Sequence, residues 1–429
     1  MPPKLKNLAL LALSLSCCSF GLLYVSLEYY VQSRYQSGIK SAHELKQKLF
    51  DSNLPNFQSM APIYLSRNFV IFLSFLDRRK GNMGGVQVRL LVAVRQKEKL
   101  FCLFDNDQNF TGTYYEMAEN HAKRFRTYFL SCQVPEELES DEIDFVTILD
   151  LQRNNKTSVP VLFTVYDPPL AKPPLAYSIC MPMLYGYRYG PKNLVEFIEI
   201  NRIFGAEHVF VYVKVRDLTR DLKRVLDFYQ KQGMVTVFPF TLPRHIDQDI
   251  WYHGQLITIH DCLYRTMGMS ELVSFQDLDE LVVPYSDLNL PSTVLSAMQS
   301  EPDTAGFQLA SKFFPLKSSI SDAPISFTNV LESKLTERRF SKCVVRPERV
   351  FEQGIHHVSR VIQDRYLVYP FNESLARLHH YKASQRWSRQ AIVNTHIWDS
   401  FGLKLLAAYN SVLKELQIEG IWKIRDRIN

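Results

Sequence analysis

The chain opens on an apolar run, residues 8–27, that carries no charge over 20 positions and has Lys4 and Lys6 on its amino-terminal side. A helix of about 20 apolar residues crosses ~30 Å of hydrocarbon, so the run predicts a transmembrane signal anchor with residues 1–7 as a cytosolic stub. The alternative is a cleaved signal peptide, with Ser14-Leu15-Ser16 and Cys18-Ser19 offering small residues for a cleavage site. Residues 28–60 are polar and lightly amphipathic, as expected of a stem. β-branched and aromatic runs then recur over 68–75, 86–94, 100–104, 127–134 and 159–165, separated by polar turns. They predict a small β-rich accessory domain over 61–167, for which a packing role and a carbohydrate-contacting role are both open. Pro168, Pro169, Pro173 and Pro174 close it, because proline stiffens a linker and cannot continue a strand ladder.

Beyond the prolines the rhythm changes to alternating strands and helices. Residues 176–181 form a short apolar strand. Leu194, Val195, Phe197, Ile198 and Phe204 fall at helical spacing, with Gly205 at the stop position. Residues 208–213 read as the next strand, and Leu218, Leu222, Val225, Leu226 and Tyr229 mark a second helix before Gly233. A third strand over 234–240, a helix over 255–267 and a fourth strand over 271–275 complete a Rossmann-like α/β run. The fourth strand leads directly into Gln276-Asp277-Leu278-Asp279-Glu280. In open α/β sheets ligands bind outside the carboxyl ends of the strands, which is where this acidic cluster stands.

Charge narrows the function classes. The formal charge of +6 arises from 50 basic and 44 acidic residues spread along the chain, without the blocks of like charge that mark a nucleic-acid arm. Three sequons, beginning at Asn109, Asn155 and Asn372, agree with passage through the secretory pathway. Of seven cysteines, Cys17 and Cys18 lie in the apolar run, leaving Cys102, Cys132, Cys180, Cys262 and Cys343 for an oxidising lumen. That odd number leaves at least one free or paired between chains. Cys102 and Cys132 sit in strand-like runs of one region and are the preferred disulfide. No Cys/His spacing suggests a zinc site.

Two aspartates one residue apart on a turn leaving a buried strand can both direct oxygen ligands at Mn²⁺ or Mg²⁺. Such a cation bridges the phosphates of a nucleotide-sugar and neutralises the departing diphosphate. As a bare triplet the motif carries little weight, since 44 acids in 429 residues predict about four or five acid-x-acid triplets by chance. Asp105-Asn106-Asp107 and Asp247-Gln248-Asp249 illustrate this. The flanking apolar strands raise its weight, as does the lack of a compensating Lys or Arg nearby in sequence, because acids wedged between buried strands need a partner.

Several segments, in order, resemble glycosyltransferase family 92: Cys180-Met181-Pro182, residues 194–199 and 204–208, Gly254-Gln255 with Asp261-Cys262-Leu263, Asp277-Leu278-Asp279-Glu280, Lys342 with Val344-Val345-Arg346-Pro347, His356-His357-Val358 and His380-Tyr381-Lys382. The resemblance implies a GT-A catalytic domain over 175–385, followed by a C-terminal helical extension over 386–429. It implies that Asp277 and Asp279 bind the metal, that Pro182 begins the nucleotide-facing loop, and that Gln255 and Asp261 line the helix near the donor. His380 is the expected third metal ligand, with His356 or His357 in reserve. Lys342 is a candidate phosphate contact. Glu332 is a candidate base, with an exposed helix acid as its plainer reading. Cys343 and Lys382 depart from the family's usual small hydroxyl residue and arginine. The implied activity is inverting, metal-dependent transfer of a hexose, galactose from UDP-galactose, to a glycan acceptor on protein or lipid. It would take place at the Golgi or ER-Golgi membrane in a single-pass type II arrangement. The competing readings are an inert carbohydrate-binding or structural glycoprotein of the same fold, and a metal-dependent phosphate-ester hydrolase. The latter needs a second acid or histidine shell that is not seen around Asp277.

Overall fold

The computed structural model describes residues 61–104, 109–139, 142–186, 189–286, 289–316, 323–382 and 391–418. The predicted stub, anchor and stem lie outside the described residues, as does Asp105-Asn106-Asp107. Among the described residues no helix is long and apolar enough to cross a membrane.

The amino-terminal part is built of two antiparallel sheets. One runs in the order Ile63–Ser66, Phe69–Asp77, Gln87–Val94, Arg126–Gln133, Thr113–Glu116, and the short strand Thr164–Val165 joins it in parallel beside Phe69–Asp77. The other pairs Asn109–Thr111, Leu100–Leu103, Phe145–Asp150 and Asn155–Pro160. Strand Phe69–Asp77 is buried throughout, and its alternation explains why. Phe69 and Ile71, with Leu90 and Val92, face the second sheet and its Ile148, and a bulge between Ile71 and Leu73 shifts the phase so that Leu73 and Phe75, like Val70, face the carboxy-terminal half. The predicted Cys102–Cys132 disulfide joins the two sheets. The run predicted over 159–165 is instead divided between the strands Asn155–Pro160 and Thr164–Val165.

The carboxy-terminal half is a mixed nine-stranded sheet. Its strands are β1 (Leu175–Leu184), β2 (His208–Lys214), β3 (Val235–Phe240), β4 (Ser270–Phe275), β5 (Glu280–Pro284), β6 (Thr304–Pro315), β7 (Glu337–Val345) and β8 (Ala376–Lys382), in the order β3-β2-β1-β4-β7-β6-β8-β5, with Leu367–Pro370 pairing β6. β1 to β4 are parallel, and β7 enters antiparallel beside β4. The helices are α1 (Pro191–Ile203), α2 (Arg220–Lys231), α3 (Gln255–Thr266), α4 (Leu290–Gln299) and α5 (His396–Glu415). α2 starts where Thr219 accepts the backbone N–H of Leu222 as an N-cap and buries Leu222, Val225, Leu226 and Tyr229, the residues whose spacing predicts it. α5 packs on α1, with Phe401 edge-on to Phe204 at 4.9 Å.

α3 is buried at every position. One side meets the sheet through the Cys180–Cys262 disulfide, and the other meets the amino-terminal sheet, where Tyr264 stacks on Phe75 at 4.2 Å. The β-rich part thus shares a hydrophobic core with the helix whose first residue is Gln255. Cys343 is the free cysteine among the described ones, and burial pushes its thiol up to about 12.

Candidate active site

β4 ends at Phe275, yet β5 does not continue beside it. It returns at the far edge of the sheet, paired with β8, so residues 276–279 cross the carboxyl end of β4 and meet side chains from β7 and β8. Gln276 pins this crossing. Fully buried, it donates to Ser274 and Tyr177 at 2.7 and 3.1 Å and accepts from the Val282 N–H at 3.3 Å, which meets the hydrogen-bonding demand of a buried amide. The Glu280 N–H closes the turn on the Asp277 carbonyl at 3.0 Å, and the Tyr381 N–H donates to the Asp279 carbonyl at 2.8 Å.

The turn presents Asp277 and Asp279 to different partners. Asp277 accepts from Gln255 Nε2 at 3.3 Å and from Lys342 Nζ at 2.8 Å. Asp279 accepts from the Tyr189 hydroxyl at 2.6 Å, and its Oδ2 lies 3.8 Å from His380 Nε2. Glu280 is the unforeseen member. Fully buried, it lies 3.0 Å from Lys342 Nζ and 3.4 Å from His380 Nδ1. Lys342 therefore supplies, from 65 positions away, the compensating cation that the neighbouring sequence lacks.

Burial raises Asp277, but Lys342 outweighs it and holds the carboxyl below its ordinary value. Burial pushes Glu280 up to about 8 against the pull of Lys342, with the charges of Asp277 and Asp279 adding to the rise. His380 is pushed down to about 3 by burial and by Lys382 and Lys342, so its imidazole is neutral. Its Nδ1 makes no hydrogen bond, and its ring lies 5.0 Å from that of Phe313. Among the described residues no three His, Cys, Asp or Glu side chains converge on one point as they stand. The donor set nevertheless fits a hard divalent cation: two carboxylates on one turn, the first held ionised by Lys342, and a neutral imidazole beside the second.

The remaining candidates spread out. Pro182 lies inside β1, where the pairing with β2 slips register, and the loop begins at Tyr185 rather than at Pro182. Asp261 does not face this cluster. It accepts from Tyr212 at 2.5 Å and from Arg265 Nε at 2.8 Å, fastening α3 to β2. His356 is close enough to Lys342 for that charge, after burial, to hold it below its ordinary value, and its Nδ1 lies 3.2 Å from the Ser341 carbonyl. His357 is half exposed and faces Glu119 of the β-rich part at 3.6 Å. Glu332 is not an exposed helix acid. It is a fully buried strand residue 3.4 Å from Arg377 and 3.9 Å from Lys312, and it accepts from Asn394.

Tyr189 and Glu280 join the site without having been assigned to it. Glu280 had a signal, a third acid entering an apolar strand; Tyr189 had none, because nothing in its segment's periodicity points at Asp279.

Residues 176–425 match the sequence profile of Glycosyltransferase family 92. The β-1,4-galactosyltransferase galt-1 of Caenorhabditis elegans is 33% identical over 358 residues, spanning 83% of each chain. The galactan β-1,4-galactosyltransferase GALS2 of Arabidopsis thaliana is 28% identical over 260 residues, 55% of this chain and 47% of its own. A glycosyltransferase family 92 protein, F13G3.3 of C. elegans, is 24% identical over 199 residues, 44% of this chain and 39% of its own. Profile and relatives agree with the ordered segments, and the acidic turn, its lysine and its histidine all lie inside the matched region: the chain belongs to glycosyltransferase family 92 and is a glycosyltransferase.

Proposed function

We propose that the chain transfers galactose from UDP-galactose, with inversion and with the help of Mn²⁺ or Mg²⁺, to a glycan acceptor, and that its catalytic half is a GT-A domain. The observation that carries this reading is the acidic turn at the carboxyl end of β4, where Asp277, Asp279, Lys342 and a neutral His380 meet. Asp277, Asp279 and His380 would hold the cation, which supplies charge neutralisation for the leaving diphosphate. The chain's own groups set the geometry for it. Gln255 and Lys342 orient Asp277, while the Tyr189 hydroxyl fixes Asp279 at 2.6 Å. The names of the C. elegans and Arabidopsis relatives favour galactose and a β-1,4 linkage.

The setting we propose is the Golgi or ER-Golgi membrane, with residues 8–27 as the anchor and the catalytic half in the lumen. The asparagines of all three sequons are exposed, as glycosylation requires, and two cysteine pairs are bridged.

A panel of sugar nucleotides with the purified full chain and Mn²⁺ tests the reading. UDP-galactose is expected to be turned over, and Asp279→Ala to abolish turnover while the chain still folds and is exported. Equal activity in wild type and Asp279→Ala removes the metal assignment, and turnover of a different donor alone removes galactose.

A further inference from the structure

Immediately before α3 three consecutive residues stand in the left-handed region: Tyr252 at φ 38°, His253 at φ 56° and Gly254 at φ 87°. At Gly254 the conformation suits the residue, and a Cβ would come within 3.0 Å of Leu242 and 3.2 Å of Phe240. Tyrosine and histidine do not suit it. Bulky residues persist there only where their surroundings over-determine them, and such outliers gather at functional sites.

The surroundings do over-determine this turn. His253 Nδ1 lies 2.9 Å from Asp247 Oδ1 and 3.0 Å from Lys214 Nζ. Trp251 packs against His121 with ring centroids 3.9 Å apart and planes tilted by 32°, and His121, from a loop of the β-rich part, is itself left-handed at φ 48°. The Phe125 N–H ties the same loop to the Asp249 carbonyl at 3.1 Å. Both halves of the molecule therefore hold one strained turn whose next residue, Gln255, reaches Asp277 at 3.3 Å.

What the strain yields is an outward ring. Tyr252 is 51% exposed, and Tyr185, edge-on to His253 at 5.0 Å, is 37% exposed. A ring half in water adds little to packing, so burial does not account for holding it in this conformation. An exposed flat aromatic face matches a pyranose, which offers C–H bonds on one face and hydroxyls at its edge. A nucleoside would be enclosed on most sides, whereas an acceptor glycan extends into solvent and can rest on an open ring.

We propose that Tyr252, backed by Trp251 at 5.0 Å, is a stacking face for a sugar ring of the acceptor glycan at the rim of the transfer site. Naming the ligand as acceptor rests on the transferase reading above. The test takes the full chain as wild type, Tyr252→Phe and Tyr252→Gly. It measures binding to an immobilised panel of neutral oligosaccharides with UDP and Mn²⁺ present, UDP affinity by calorimetry, and thermal midpoint. Glycine relieves the left-handed strain, so Tyr252→Gly should melt no lower than wild type. Its glycan binding should fall about tenfold, while Tyr252→Phe stays within about twofold and UDP affinity holds in both. The proposal is overturned if Tyr252→Gly binds glycans as wild type does, if the loss appears in UDP affinity instead, if the glycine variant melts lower, or if wild type binds no glycan. Glycan binding is read without sugar transfer, so a failed donor panel leaves this result to be judged separately.

Discussion

Replacing Lys342 with methionine removes an ammonium group that lies 2.8 Å from Asp277 Oδ2 and 3.0 Å from Glu280 Oε2 while itself only 1% exposed. At an effective dielectric of about 20 the contact with the ionised Asp277 is worth about 6 kcal/mol of attraction, most of it offset by the cost of burying the charges, while Glu280, pushed up to about 8, is mostly protonated at neutral pH and adds little charge. Taking away one partner leaves that cost uncompensated, typically about 3–5 kcal/mol. The Asp277 side chain keeps 32% exposure, so water relieves its share and the lower figure applies. In chelator, Lys342→Met should therefore lose about 3 kcal/mol, which is roughly 6 °C in melting temperature at ~2 °C per kcal/mol. A divalent cation can replace the missing charge, and if it binds the variant a hundredfold more tightly it returns about 2.7 kcal/mol. Saturating Mn²⁺ should then raise the melting temperature of Lys342→Met well beyond its effect on wild type. Differential scanning fluorimetry with EDTA and with Mn²⁺ reads both arms. Equal melting of the two proteins in EDTA, or an equal Mn²⁺ shift in both, refutes the view that Lys342 and the cation answer the same carboxylates.

Two further outcomes follow from buried acids away from the turn. Burial works against the ionised form of Asp77, but Arg79 and Arg89 overcome it and bring its pKa down to about 2 from 3.8. A depressed carboxyl contributes in full above the unfolded value and is lost as pH falls from about 4 through 2, here about 2 kcal/mol. Denaturation from pH 5 to pH 2 should therefore show an acid slope that Asp77→Asn reduces, and an unchanged slope refutes the assignment. Glu332→Gln should cost about 3 kcal/mol through its buried contacts with Arg377 and Asn394 and leave transfer within about threefold. A fall in kcat of about a hundredfold or more would return Glu332 to the role of base.

How much of this was legible depended on whether a signal is local. The helix Arg220–Lys231 follows from spacing and the glycine after it, and β1 to β4 from apolar runs set between such stops, since period and turn chemistry are written in consecutive residues. The amino-terminal strands were found where both faces are buried, as in Phe69–Asp77. Thr113–Glu116 and Phe145–Asp150 were not foreseen; each is partly exposed and has a mixed pattern. The same division runs through the site. Asp277 and Asp279 were legible as a turn after a strand, but Lys342 meets Asp277 only because β7 inserts antiparallel beside β4, a pairing no local pattern reports. Asp261 had the converse fate: its place on α3 was read correctly, but the face it occupies turns to Tyr212 and Arg265.

The accessory sheets gain a physical role from that long-range pairing. Gln255 can hold Asp277 only if α3 keeps its place, and α3 is gripped from two directions. On the sheet side, Cys262 is bridged to Cys180 of β1, and Asp261 with Arg265 binds Tyr212 of β2. On the other side, Phe75 and Phe129 pack on Tyr264, whose hydroxyl donates to the Phe351 carbonyl and accepts from Arg79 at 3.1 Å. Arg79 also donates to the carbonyls of Glu348 and Val350, and its charge is met by Asp77, which Arg89 shares. A buried arginine satisfied by both halves resists sliding between them, because any shift strands a charge or a carbonyl. The residues that set the angle of Gln255 toward the acidic turn therefore include Asp77 and Arg79, which lie in the sequence almost 200 positions before Asp277 and touch none of the site's carboxylates.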